Sequence, residues 1–176
     1  ICAGGSNTFS VTASGTGISY QWQLSTDGGI TFNNIGGALS ASYTVSAVTE
    51  GMNNNRYRCI VTGTCSPAAT SSAATLTVVT PASITAQPAN VELCSGSTAS
   101  LTVAGNSNQA IIYQWQVSTD GGTTWSNIGG ATASTLTLNA ITAGMNNNRY
   151  RCLLSTSACS VASTSNAAIL TVRTNP

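Results

Sequence analysis

The chain has 176 residues, a net charge of +1, five arginines, no lysine, no histidine and four carboxylates. Charge so sparse and balanced gives no electrostatic case for binding nucleic acid or an anionic membrane. Without His or Lys a paired catalytic acid and base is hard to assemble, so an enzyme is not expected. No apolar run approaches the roughly 20 residues that span a bilayer. Val, Ile and Thr alternate with small polar residues, which argues against disorder, a state that goes with high net charge and few β-branched residues. The surface left over is Ser, Thr, Asn, Gly and Ala, a neutral, hydroxyl-rich coat common on extracellular bacterial proteins.

Taken from the N-terminus, residues 8–13, 18–24, 42–46, 56–62 and 74–79 alternate with period two, and 100–104 resumes the series. Each run is bounded by Gly, Asn, Ser or Asp clusters. Short alternating runs with a turn about every ten residues predict an all-β sandwich. Thr80 and Pro81 mark the expected boundary between domains 1–80 and 81–176, with a linker of only a few residues. The block YQWQLSTDGG at 20–29 returns as YQWQVSTDGG at 113–122, and GMNNNRYRC at 51–59 returns unchanged at 144–152. Two copies of one domain-sized unit point to an array. Ile1 aligns with Leu93, so the first copy is expected to lack its own strand A, the segment that reads 82–92 in the second. That strand is expected from upstream sequence, or from another subunit by strand complementation. The tail after Val172 is too short to serve as a donor strand.

Trp22 on a middle strand, followed by Tyr57 and Cys59 on a later one, resembles the immunoglobulin fold, and Trp115, Tyr150 and Cys152 repeat it. The resemblance implies two tandem immunoglobulin-like β-sandwiches with these six residues buried. It also implies a tyrosine corner, in which the Tyr57 and Tyr150 hydroxyls bond backbone near Met52 and Met145. More narrowly, the motifs C-x-G, Y-Q-W-Q, T-D-G-G-x-T-W, M-N-x-x-x-Y-R and S-N-A-A-x-L-T-V are similar to immunoglobulin-like repeats of giant secreted surface proteins of Bacteroidota. Those proteins include type IX-secreted adhesins and gliding-motility adhesins. This second resemblance implies an extracellular place on the bacterial cell surface. The role it implies is a structural or adhesive repeat of a filament or stalk, supplying length, stiffness and display. Its implied partners are adjacent repeats of the same protein, other filament subunits and a glycan or surface ligand, with no cofactor. Such repeats also serve as spacers, which keeps a carbohydrate-binding accessory module of an exported enzyme as a rival. A strand-complemented, pilus-like subunit is the third reading.

Three cysteines per copy favour an oxidising compartment, and their spacing offers no zinc site. The immunoglobulin partner of Cys59 on strand B is replaced by Val11, and that of Cys152 by Val103. The usual inter-sheet disulfide is therefore not expected, and Cys59 and Cys152 pack as small apolar residues against the tryptophans. Cys2 and Cys94 precede the turn into strand B, whereas Cys65 and Cys159 fall in the F–G loop, at the other end of such a domain. Six residues of strand separate Cys65 from Cys59, about 20 Å at ~3.3 Å per residue, against the roughly 7 Å that a disulfide spans. Three outcomes stay open. Cys2 pairs with Cys159 across the domain junction, with Cys94 and Cys65 bridging to following and preceding domains; or Cys2 reaches Cys59 across its own core; or the cysteines are thiols.

Residues 25–32 (STDGGITF) and 118–125 (STDGGTTW) resemble the Asp-box. Asp27 and Asp120 are expected to cap the backbone of a tight hairpin, with Asp-Gly-Gly supplying positive φ. One carboxylate per loop is too few for calcium, which takes six to eight oxygens. Phe32 and Trp125 are expected in the core, with an exposed sugar-stacking ring as the alternative. Asn54 and Asn147 sit in Asn triplets of the E–F turn, where Asn tolerates left-handed backbone; adhesive contact is the sharper reading. Arg56 and Arg58 are expected to pair with Glu50 or to stay solvated, and Arg149 and Arg151 repeat them.

Overall fold

A computed structural model describes residues 1–65 and 67–173. It divides into two units, Ile1–Thr80 and Pro81–Pro176. Residues 174–176 of the tail lie outside the described residues. The first unit contains β1 (Asn7–Ser10), β2 (Ser19–Ser25), β3 (Asn33–Asn34), β4 (Ser42–Val45), a 3-10 turn at Glu50–Met52, β5 (Arg56–Thr62), β6 (Ala69–Thr70) and β7 (Ala74–Thr75). β1 pairs with β4, while β3, β2, β5 and β6 run in that order in a second sheet that β7 joins along β5. The antiparallel register of β2 on β5 extends over seven pairs, from Ser19 opposite Thr62 to Ser25 opposite Arg56. Side chains on a strand alternate between faces, so Tyr20, Trp22 and Leu24 meet Tyr57, Cys59 and Val61 in one core. Phe9, Tyr43 and Val45 close it from the other sheet.

The second unit contains β8 (Ser83–Ala86), β9 (Val91–Cys94), β10 (Ala99–Thr102), β11 (Ala104–Asn106), β12 (Ile112–Ser118) and β13 (Ser126–Asn127). It continues with β14 (Thr135–Leu138), a 3-10 turn at Ala143–Met145, β15 (Arg149–Ser155), β16 (Ser163–Thr164) and β17 (Ala168–Arg173). β12 and β15 repeat the seven-pair register, with Trp115 opposite Cys152. β8 lies antiparallel to β11, and β9 lies parallel to β17, with Cys94 opposite Arg173 at the far end of that strand. Cys94 and the loop that carries Cys159 into β16 and β17 are therefore at opposite ends of this sandwich. Both units are all-β sandwiches with the strand layout of an immunoglobulin domain.

The first unit has no counterpart of β8 among the described residues, but it keeps the end of the following strand. Cys2 bridges Val79 in parallel. Ala3 N–H donates to Val79 O, and Val79 N–H to Ile1 O, both at 2.9 Å. Residues 1–3 thus take the place that β9 holds beside the last strand of the second unit.

The two cores fill the same positions differently. In the first, the rings of Phe9 and Tyr57 stack with centroids 4.6 Å apart, and Tyr43 lies 6.0 Å from Tyr57. Phe9 and Tyr43 are directly opposed on β1 and β4. Their counterparts, Leu101 and Leu136, are opposed on β10 and β14, so the pair changes from aromatic to aliphatic together. Each indole N–H is satisfied inside its own unit, Trp22 by Ser40 O and Trp115 by Ala133 O, both at 2.9 Å.

Cys59 and Cys152 are free thiols with 0% exposure. Val11 and Val103 pack in the same two cores. Burial pushes both thiols up, Cys152 to about 11. Cys65 and Cys94 are free and exposed. A thiolate, not a thiol, is the nucleophile, and it must be reachable. Iodoacetamide at pH 8 is therefore expected to label Cys65 and Cys94 in the native chain and to reach Cys59 and Cys152 only after denaturation, as read by peptide mass mapping.

Candidate functional site

The repeated blocks converge on one edge of each sandwich, where the hairpin after β2 or β12 meets the outer face of β5 or β15. Asp27 collects five hydrogen bonds at the hairpin tip. Thr31 donates its N–H to both carboxylate oxygens at 3.0 Å and its hydroxyl to Oδ2 at 2.5 Å. Ser25 Oγ donates to Oδ1 at 2.7 Å, and Ile30 N–H donates to the same oxygen at 3.0 Å. Ser25 Oγ in turn accepts from Gly29 N–H at 2.8 Å. Asp120 repeats this with Thr124, Ser118 and Thr123. Thr31 first, then Ser25, holds the Asp27 carboxyl well below the usual carboxylate range, and Thr124 and Ser118 do the same for Asp120. A carboxylate so fully engaged by its own loop is a turn clamp with little capacity left for a ligand. Gly29 is favoured by its φ of +95°, in the region that side chains rarely adopt.

Phe32 and Trp125 correct the expectation of core placement. Neither belongs to a buried core; both are half-buried under an arginine. The Arg58 guanidinium lies 3.9 Å from the Phe32 ring centroid, and that of Arg151 lies 4.2 Å from Trp125, within the range of a cation–π contact. Outward-facing alternation carries each arginine away from the core, and the hairpin folds its aromatic back to meet it. Arg58 Nε–H donates to Gln23 Oε1 at 2.8 Å, and Gln23 Nε2–H donates to Asn34 Oδ1 at 2.8 Å. Arg151, Gln116 and Asn127 make the same chain at the same distances. Arg58 and Arg151 are thus neither paired with Glu50 nor merely solvated. The sequence reading missed the Gln–Asn–Arg chain, although identical residues at all three positions in both copies were a visible signal. The described ion pair is elsewhere, between Arg173 and Glu92, both exposed, where such pairs contribute little.

The Asn triplets tie the E–F turn to the last strand. Asn54 and Asn147 are exposed at φ 68° and 66°. Asn54 N–H donates to Leu76 O at 2.9 Å, and Leu76 N–H donates to Asn55 O at 2.8 Å. Val78 N–H donates to the Asn53 side-chain oxygen at 2.8 Å, and Val172 N–H to that of Asn146 at 2.9 Å. The amide side chain here does the work of a strand backbone. Burial pushes the Tyr57 hydroxyl up, an effect opposed by a hydrogen bond from the Asn55 side chain. That contact lies in the same turn as Met52 but on a side chain.

Among the described residues no three of His, Cys, Asp or Glu come together, and no helix is long and apolar enough to cross a membrane. A depressed carboxyl pKa contributes stability above the unfolded value, ~3.9 for Asp, and loses it as pH falls from there toward the folded value. The melting temperature is therefore expected to fall on acidification below about pH 4. Asp27→Asn with Asp120→Asn should lower it at pH 6 and flatten that acid limb, measured by thermal melts from pH 6 to pH 2.

No curated protein matches the chain. Among solved structures it is similar to the IG1 and IG2 domains of DIP-gamma, with 17% identity and a TM-score of 0.55, covering 98% of this chain and 92% of that one. The N-terminal eight Ig domains of Down Syndrome Cell Adhesion Molecule isoform 1.30.30 align at 17% identity and a TM-score of 0.64, over 98% of this chain and 23% of that one. Immunoglobulin domains 1–4 of Sidekick-1 align at 14% identity and a TM-score of 0.64, over 98% of this chain and 46% of theirs. The chain spans less than half the length of the latter two. Likeness at such identity shows the fold, two tandem immunoglobulin-like domains. A family described as a domain of unknown function, DUF8696, matches residues 1–80 and again 83–174, and the chain belongs to that family, of which it carries two copies.

Proposed function

We propose that the two domains are structural and adhesive repeats of a long extracellular protein on the bacterial cell surface, of the type IX-secreted or gliding-motility adhesin kind. The observation that carries this reading is the internal closure of every repeated motif. The Asp hairpin, the Gln–Asn–Arg chain and, in the Asn turn, Asn53 and Asn146 spend their side-chain polar groups on their own domain. Units duplicated so closely and so self-contained provide length, stiffness and display, with ligand contact left to exposed loops such as those of Asn54 and Asn147. Similar solved structures include part of a protein named for cell adhesion, which agrees with this role. Catalysis lacks support, because His and Lys are absent and both hairpin carboxylates are held as anions. The carbohydrate-module rival needs an open aromatic platform, and the Trp125 face meets Arg151 instead.

The reading includes a covalent staple between Cys2 and Cys159 at the domain junction. Cys59 and Cys65 in the first unit, and Cys94 and Cys152 in the second, are free thiols, which removes the pairings in which they join Cys2 or Cys159. Peptide mapping without reductant is expected to recover a Cys2–Cys159 linked pair; a Cys2–Cys59 pair would sink the staple. Antibodies to the two domains are expected to label intact, unpermeabilised cells of the source bacterium, with the signal lost after protease shaving. Labelling only after lysis would refute a surface repeat, and selective binding on a glycan array would favour the carbohydrate module.

A further inference from the structure

Both aspartates of the chain are followed by glycine, Asp27 by Gly28 and Asp120 by Gly121, and no asparagine is. In an Asp-Gly pair the glycine nitrogen has no Cβ beside it to shield it from the aspartate side chain. That nitrogen can attack the aspartate Cγ. A new N–Cγ bond closes a five-membered imide, and the protonated carboxyl sheds its hydroxyl, which leaves as water with the amide proton. Water then opens the imide at either carbonyl. Opening at Cγ restores aspartate; opening at the main-chain carbonyl leaves isoaspartate, with the backbone routed through Cβ and Cγ. The water released equals the water taken up, so the mass is unchanged and no other reactant is needed.

Both pairs sit where this chemistry has access. Asp27, Gly28, Asp120 and Gly121 are all exposed at their hairpin tips, and a Cβ built on either glycine would meet nothing within 4 Å. The clamp is what opposes the reaction. A carboxylate must take up a proton before an oxygen can leave, and hydrogen bonds to the anion disfavour that proton. Thr31 holds both oxygens of Asp27, while Ser25 and Ile30 hold Oδ1. Thr124, Ser118 and Thr123 hold Asp120 in the same way. Attack by the glycine nitrogen therefore waits on local opening of the hairpin.

We propose that Asp27–Gly28 and Asp120–Gly121 are latent isoaspartate sites, kept closed by the folded hairpin and converted one way when it opens. Conversion adds an atom to the main chain and leaves the carboxylate on Cα, so the clamp does not re-form. The hairpin then no longer fixes Phe32 under Arg58, or Trp125 under Arg151. The two sites differ in protection. In the second unit Thr123 Oγ–H donates to Asp120 O, and Trp125 Nε1–H donates to Gly122 O, both at 3.1 Å. Ile30 and Phe32 occupy those positions in the first unit and have no donor to supply. The first hairpin opens more readily, and Asp27 converts ahead of Asp120. The inference does not depend on the cell-surface reading.

The test ages the whole chain at neutral pH and physiological temperature, in buffer and in guanidinium chloride. Isoaspartate at each position is read by peptide mapping with a protease that cuts before aspartate but not before isoaspartate. Formation is expected to be slower in the folded chain by at least about tenfold at both sites, and faster at Asp27 than at Asp120. Thr31→Val, which removes a donor and keeps the side-chain shape, is expected to speed Asp27 by roughly three- to tenfold and to leave Asp120 unchanged. Ile30→Thr with Phe32→Trp leaves the clamp whole and is expected to slow Asp27 toward the rate of Asp120. That variant keeps the test decisive if Thr31→Val melts below the ageing temperature. Equal rates in folded and unfolded chains overturn the proposal, and so does a folded chain in which Asp120 converts as fast as Asp27.

Discussion

The seven-pair register between β2 and β5, repeated between β12 and β15, is the constraint on which the rest depends. Strand side chains alternate between faces, so placing Trp22 opposite Cys59 also decides where Tyr57, Arg56 and Arg58 go. A slip of one residue would carry both arginines into the core and Tyr57 into solvent. The register therefore composes the two faces of the sheet at once. The inner face is Trp, Tyr and Cys; the outer face is an arginine, a glutamine and the aromatic ring of the following hairpin.

Within that frame, substitutions between the units come in matched sets. Phe9 and Tyr43 change together to Leu101 and Leu136 because they face each other across the strands. Phe32 becomes Trp125 under an unchanged arginine, which stacks on either ring, and the indole N–H gains Gly122 O at 3.1 Å. The disulfide position on strand B is Val in both. A valine and a thiol fill the space without a covalent bond, and the buried thiol stays protonated.

Much of this was legible from alternation and repetition. Trp22, Tyr57 and Cys59 announce an inward face by period two, and Asp-Gly-Gly announces a hairpin because few other sequences tolerate its backbone. The aromatic of that hairpin was misplaced for a physical reason. Its environment is set by Arg58, 26 residues away in sequence, and by which way the hairpin folds relative to the sheet, neither of which local pattern encodes. Likewise the Asn triplet reads as a turn, but the bond from Val78 to the Asn53 side chain needs a strand that arrives much later.

The parallel placement of β9 beside β17 bears on how tension would pass through the second domain. The polypeptide enters this sandwich through β8 and β9 and leaves it through β17. Once β8 has let go, opposed pulls on the two ends slide β9 and β17 lengthwise, so their rungs strain together instead of parting one by one. Four residue pairs share that strain in the second domain.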